Sequence, residues 1–81
     1  MQRFTCTGFR SVLAESIHDA AFVFASRAAK RAYGRKGYAR TCEEGAHAVD
    51  YRMAEYQAFI GHSTGISETT GHNVYFTVHR A

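Results

Sequence analysis

The longest regular pattern along the chain is an alanine-rich segment with an apolar stripe, which predicts a helix from about Ile17 to Tyr33. Ser16 precedes it as a capping residue, and Gly34 follows it where a left-handed C-terminal position favours glycine. Small alanine side chains on the stripe would let the helix approach a sheet closely. The stripe consists of Ile17, Ala21, Phe24, Ala28 and Ala32, with Phe22, Ala25 and Ala29 beside it.

Residues 3–14 precede the helix and are rich in β-branched and aromatic residues, which favours extended structure. Phe4, Cys6 and Val12 share one parity, whereas Phe9 lies on the other. This mixed pattern predicts either one strand with a bulge or bend near Gly8, or two short strands that meet there.

The segment after the helix is less regular. Gly34, Gly37 and Gly45 interrupt residues 34–47, which favours a connection with turns. Tyr38–Cys42 is expected to form a short strand within it. Residues 48–60 show an extended pattern whose parity changes, which predicts a bulge around Ala54 or two partly covered faces. Helix remains an alternative for residues 50–59, because Met, Ala, Glu and Gln all favour it.

The last segment alternates cleanly between apolar and polar positions from Val74 to His79, which predicts a strand with one buried face. We expect it to pair with the preceding strand as an antiparallel hairpin around the polar loop 61–72. The sequence therefore predicts a single α+β domain over residues 1–81. Its expected architecture is a two-layer sandwich of one main helix on an antiparallel sheet of three to four strands, in β-α-β-β order.

The composition is that of an ordinary folded protein, with 46% hydrophobic and 21% charged residues among 81. No apolar stretch approaches the roughly 20 residues of a membrane span, and the N-terminus does not resemble a signal peptide. We expect no membrane association. Cys6 and Cys42 form no metal-binding or redox pair in sequence, which favours two reduced thiols in a cytoplasmic protein.

Five histidines raise the question of a metal site, but no two of the candidate ligands lie within four residues of each other. His62 and His72 flank the hairpin loop and would face each other across it. The chain also lacks a recognisable frame of nucleophile, base and orienting acid. We therefore expect no metal, no cofactor, no catalytic residue and no enzymatic activity. The candidate ligands are Cys42, His47, His62, His72 and His79.

Basic side chains concentrate in one stretch, where six of the ten lysine and arginine residues occur without an acid among them. Tyr33 and Tyr38 interleave with them, as in a surface that follows phosphates and stacks bases. A solvated helix face, or a surface that meets an acidic protein, explains the same pattern. The six candidates for partner binding in this stretch are Arg27, Lys30, Arg31, Arg35, Lys36 and Arg40.

Acidic side chains follow the basic stretch, so the folded domain is expected to present two faces of opposite sign, although its formal net charge is +3. Segregated charge of this kind serves docking on a protein partner, and ordinary charge mixing is the alternative. Tyrosines near the acids add side chains that are enriched at interfaces. The acidic and tyrosine candidates are Glu43, Glu44, Asp50, Glu55, Tyr38 and Tyr51.

In its order of elements the chain resembles anti-CRISPR inhibitors of type I systems, which are small phage-encoded proteins that bind the Cascade surveillance complex. The resemblance covers the strand segment Phe4–Ala14, the helix start Ser16–Asp19, the helix Ala20–Tyr33 and the strand Val74–Val78. It implies steric inhibition that blocks recruitment of target DNA, in the cytoplasm of a host bacterium. Inhibitors that mimic DNA are usually acidic, so a mimic here would depend on the acids from Glu43 to Glu55.

Two functions follow as hypotheses. The first is a non-enzymatic inhibitor of the anti-CRISPR type that binds Cascade. The second is a small nucleic-acid-binding regulator that uses the basic stretch from Arg27 to Arg40. The oligomeric state stays open, because an exposed edge strand would be able to pair two copies.

Overall fold

The predicted helix is confirmed in the computed structural model, which describes residues 1–45, 52–63 and 69–81. Helix α1 runs from Ile17 to Tyr33, and the Ser16 hydroxyl oxygen accepts a hydrogen bond from the Asp19 N–H at 3.1 Å. Gly34 ends it at φ 76° and donates its N–H to the Lys30 carbonyl. The buried stripe is slightly rotated from the predicted one, since Phe22 is 46% exposed. The buried residues of α1 are Ala20, Ala21, Phe24, Ala25 and Ala29.

The first segment forms two strands, β1 (Gln2–Thr5) and β2 (Val12–Ala14), which pair antiparallel. Gly8 lies between them at φ 86°, a backbone conformation that favours glycine. Of the two predicted possibilities, the pair of short strands is therefore the one that forms. It changes the predicted β-α-β-β order to β-β-α-β-β-β.

Three strands follow α1 and a single 3₁₀ turn at Gly34–Lys36. They are β3 (Tyr38–Glu44), β4 (Met53–Ser63) and β5 (Thr69–Arg80). The helix alternative for residues 50–59 is wrong over the described part of that range, because β4 pairs with β5 without a register shift. The bulge lies in β3, where the register shifts between Ala39 and Thr41, and not near Ala54.

All five strands form one antiparallel sheet in the order β2-β1-β5-β4-β3. The prediction of three to four strands is thus too low. The N-terminal strand β1 pairs with the end of the last strand, at Phe4 with Arg80 and Thr5 with His79. This pairing joins residues from both ends of the chain, which a local pattern does not reveal.

The core lies between α1 and one face of the sheet, as the two-layer prediction requires. Phe4, Phe24, Ile60 and Val78 are its largest fully buried side chains. Alanines from both layers fill much of the remaining contact, together with Cys6, Val12 and Tyr56, so the helix lies close to the strands. No polar or charged side chain is buried in the described part of the chain. The alanines of this core are Ala14, Ala20, Ala21, Ala25, Ala29, Ala54 and Ala58.

Helix α1 has 17 residues and carries charged side chains on its exposed side. Across residues 1–45, 52–63 and 69–81, no helix is long and apolar enough to span a membrane.

Candidate interaction surface

The face of the sheet opposite α1 is covered by no described helix or strand, and we call it the open face. Its members follow from the register, because directly paired residues point to the same side. Glu55 pairs with Thr77, and Gln57 pairs with Tyr75. On β3, β4 and β5 the open face consists of Tyr38, Thr41, Glu43, Met53, Glu55, Gln57, Phe59, Asn73, Tyr75, Thr77 and His79.

Three aromatic side chains follow a diagonal across the open face, one from each of β5, β4 and β3. Tyr75 is 73% exposed and Tyr38 is 37% exposed. Phe59 lies between their rows and is half-buried, and a Cβ on Gly71 would lie 2.9 Å from its ring. The glycine thus makes room for the ring. Exposed aromatics of this kind are enriched where proteins bind each other.

Two acids stand beside this diagonal. Glu43 pairs with Gln57, and the Gly45 N–H donates to the Glu55 carbonyl at 2.8 Å, so Glu43 and Glu55 occupy adjacent rows on neighbouring strands. A depression of about 410 Å³ opens beside Glu55. Carboxylates next to an exposed tyrosine suit the cationic side chain of a protein partner. The depression is lined by Gly45, Glu55, Tyr56, Gln57, Tyr75, Phe76 and Thr77.

Two of the predicted basic residues bind the turn between β1 and β2. Arg27 donates from Nη1 to the Arg10 carbonyl at 3.0 Å, and Arg31 donates from Nη2 to the Gly8 carbonyl at 2.9 Å. The Arg31 guanidinium also lies 4.2 Å from the centre of the Phe9 ring. Both side chains therefore hold this turn against α1.

The other predicted basic residues lie at the C-terminal end of α1 and beyond. Lys30 donates from Nζ to the carbonyls of Arg35 and Gly37, at 3.3 and 3.4 Å. Arg35 and Lys36 are exposed in the 3₁₀ turn, and Arg40 is exposed at the bulge of β3. The six cations are therefore spread over three places, and three of them bind backbone carbonyls of this chain.

The acidic candidates among the described residues lie on opposite faces of the sheet. Glu44 pairs with the buried Tyr56 and so points to the side of α1, away from Glu43 and Glu55. Burial raises the pKa of Tyr56, and the negative charge of Glu44 raises it further. Asp50 and Tyr51 lie outside the described residues.

His62 and His72 lie near the end of the hairpin and both contact Tyr33 of α1. They do not face each other directly as predicted, because His62 pairs with Thr70 and His72 pairs with Ile60. The Tyr33 ring centre lies 5.3 Å from that of His62 and 5.6 Å from that of His72. The Tyr33 hydroxyl is 2.5 Å from the His72 Nδ1. Among the described residues, no group of three metal-ligating side chains is close enough to hold an ion. The cluster ties the hairpin to the helix end.

Both cysteines are unpaired thiols. Cys6 is buried, as its parity predicts, and burial raises its pKa. Burial raises the pKa of Cys42 to about 11. At neutral pH both are therefore held as neutral thiols, the weakly nucleophilic form.

Sequence reasoning left eight residues of the open face out of its binding set, namely Thr41, Met53, Gln57, Phe59, Asn73, Tyr75, Thr77 and His79. The alternation of Tyr75 and Thr77 with apolar neighbours indicates that both side chains lie on the exposed face of their own strand. Placing Phe59 and Gln57 beside them requires the pairing of β4 with β5, which the sequence does not specify residue by residue.

No family model, no curated protein and no solved structure matches this chain.

Proposed function

We propose that this chain is a non-enzymatic inhibitor protein that docks on a protein partner through the open face. One observation carries the proposal. Tyr75, Phe59 and Tyr38 form a diagonal beside Glu43 and Glu55, on a sheet face that no described helix or strand covers. An exposed aromatic surface with a polar border is typical of an interaction site.

The chemistry of the open face specifies the kind of partner surface. Glu43 and Glu55 attract arginine or lysine, and the exposed aromatic ring of Tyr75 attracts the same cations. A folded protein surface rich in basic side chains fits this combination. Nucleic acid fits it less well, because two carboxylates stand where phosphates would approach.

A bacterial type I Cascade complex is the specific partner that we propose. The α+β architecture, with one helix on an antiparallel sheet, supports the resemblance from which this partner comes. The placement of Glu43 and Glu55 on one face supports it further, since a protein that displaces DNA must contact a basic, DNA-receiving surface. Inhibition would follow from occupancy of that surface and requires no chemical step.

The test measures binding of purified type I complexes to the immobilised protein, and then displacement of target DNA from the complex. We expect Glu43→Lys combined with Glu55→Lys to weaken binding at least about tenfold, because favourable ion pairs become repulsive. Arg35→Glu combined with Lys36→Glu is the matched control, since it reverses two exposed charges away from the open face. The control is expected to bind as the unaltered chain does.

A different outcome would favour the nucleic-acid hypothesis. In that case the unaltered chain would shift DNA or RNA in a gel, with affinity that falls steeply as salt rises. The Arg35→Glu and Lys36→Glu variant would lose this activity, and the open-face variant would keep it. Absence of binding to any type I complex at micromolar concentration would contradict the proposed partner.

A further inference from the structure

The sheet has a free edge along the middle of β5. This strand pairs with β4 from Thr69 to His79, but it pairs with β1 only at His79 and Arg80. The turn at residues 6–11 makes no backbone hydrogen bond to β5. Within the described part of the chain, residues 73–77 therefore face no strand on the side opposite β4.

Hydrogen bonds at the end of β5 show which backbone groups point to this edge. The Arg80 N–H donates at 2.7 Å to the Arg52 carbonyl, on the β4 side. The next N–H, of Ala81, donates at 3.0 Å to the Arg3 carbonyl of β1, on the opposite side. The directions alternate along a strand, and the register with β4 has no shift. The N–H and C=O groups that face the free edge are those of Asn73, Tyr75 and Thr77.

The other edges of the sheet are protected against pairing. Strand β3 has a bulge at Arg40 and charged side chains at Glu43 and Glu44, and β2 has only three residues. Bulges, charges and short length are the usual means by which edges avoid pairing. Residues 73–77 contain no charge, glycine, proline or bulge, and they combine valine with two aromatics. This edge is suited to accept another strand.

The segment is complementary to itself. If two copies pair antiparallel with Tyr75 opposite Tyr75, then Asn73 lies opposite Thr77 of the second copy, and Val74 lies opposite its Phe76. Val74 and Phe76 are half-buried and point to the side of α1, so this pairing covers their remaining apolar surface. Because the segment has no charged side chain, it adds no like-charge repulsion between two identical strands.

We propose that two copies of this chain associate by antiparallel pairing of their β5 edges over residues 73–77. This goes beyond the proposed function, because it leaves the open face of each copy available. The contact is short, with about six hydrogen bonds between strands. It ends where β1 occupies the edge at His79. An interface of this size is smaller than that of a stable dimer, so the dimer dissociates on dilution.

The test is sedimentation of the purified chain over a range from low micromolar to submillimolar concentration. Thr77→Pro removes an outward N–H and places a ring at the free edge, but it removes no hydrogen bond to β4. We expect it to weaken association at least about tenfold. Thr77→Val is the matched control, because it keeps the N–H, and its association is expected to be unchanged.

A second control places proline on the other edge. The Gly45 N–H points to β4, so the preceding N–H, of Glu44, points outward from β3. Glu44→Pro is expected to leave association unchanged. Asn73→Pro removes the outward N–H at the other end of the segment. The β5 contact would be refuted if Glu44→Pro abolished the dimer, or if Thr77→Pro and Asn73→Pro both left it intact. Circular dichroism of each variant verifies that it is folded.

Amide exchange measured by NMR gives an independent readout. Raising the protein concentration should slow exchange at Asn73, Tyr75 and Thr77, whereas Val74 and Phe76 exchange slowly throughout because they bond to β4. A chain that stays monomeric at every concentration would overturn the proposal. Because no partner protein is present in these experiments, their failure leaves the proposed function to be judged on its own test.

Discussion

The replacement of Arg31 by alanine tests whether the basic side chains of α1 are structural. In the fold, the Arg31 guanidinium donates to the Gly8 carbonyl at 2.9 Å and lies 4.2 Å from the centre of the Phe9 ring. Phe9 in turn contacts Phe24 of the core, with 6.0 Å between ring centres. Arg31→Ala removes these contacts between α1 and the turn that joins β1 to β2, whereas the bond from Arg27 to the Arg10 carbonyl remains.

The magnitude follows from these two contacts. A hydrogen bond contributes about 0.5–1.5 kcal/mol net, and a cation over an aromatic ring at an exposed site contributes about 0.5–1 kcal/mol. Their sum is a loss of about 1–2.5 kcal/mol in the free energy of unfolding. For a domain of this size, that corresponds to a Tm lower by about 4–20 °C.

Thermal unfolding followed by circular dichroism measures the effect. Lys36→Ala is the matched control, because Lys36 is exposed in the 3₁₀ turn away from the β1–β2 turn. Its Tm should stay within about 2 °C of the unaltered chain, as is usual for surface substitutions. Equal Tm values for Arg31→Ala and Lys36→Ala would refute the structural role of Arg31.

Three further predictions concern the core and the thiols. Phe24→Ala should lose about 3–5 kcal/mol of stability because Phe24 is 1% exposed, whereas Phe22→Ala at a 46% exposed position should lose far less in the same denaturant titration. Gly37→Ala should lower the free energy of unfolding by about 1–3 kcal/mol or more, because its Cβ would lie 2.2 Å from a carbonyl oxygen of α1. Gly45→Ala should lower it less, because its Cβ would lie 3.4 Å from the nearest atom. Iodoacetamide should label Cys42 slowly at pH 8 in the folded chain and quickly in denaturant, as mass spectrometry would show. Because burial raises the pKa of Cys42 from 9.0 to about 11, the fold favours the neutral thiol. This contribution to the free energy of unfolding is present below pH 9 and is lost as the pH rises through 11. Fast labelling of Cys42 in the folded chain would contradict the raised pKa.

Helix α1 was predictable because its signals are local. Ser16, the alanine stripe and Gly34 all lie within or beside one segment, and the structure places the helix ends where they indicate. The pairing of the last two strands was likewise predictable from the clean alternation at Val74–His79. The predicted loop 61–72 was too long, because β4 continues to Ser63 and β5 begins at Thr69. Capping and periodicity act over a few residues, so a sequence shows them directly.

The candidate surface was only partly predictable, because its geometry depends on distant pairings. Arg27 and Arg31 bind carbonyls 17 and 23 residues away, which no local charge pattern indicates. Glu43 and Glu44 are adjacent in sequence, yet the strand directs them to opposite faces. The diagonal of aromatics depends in the same way on the register of three strands.

A photocrosslinking experiment tests most directly whether the open face meets a protein. The crosslinking amino acid p-benzoylphenylalanine is placed at Tyr75, on the open face, or at Phe22, on the exposed side of α1, and each protein is irradiated with a purified type I complex. We predict a covalent product with a protein subunit from position 75 and none from position 22. Crosslinks from position 22 alone, or from neither position, would contradict docking through the open face.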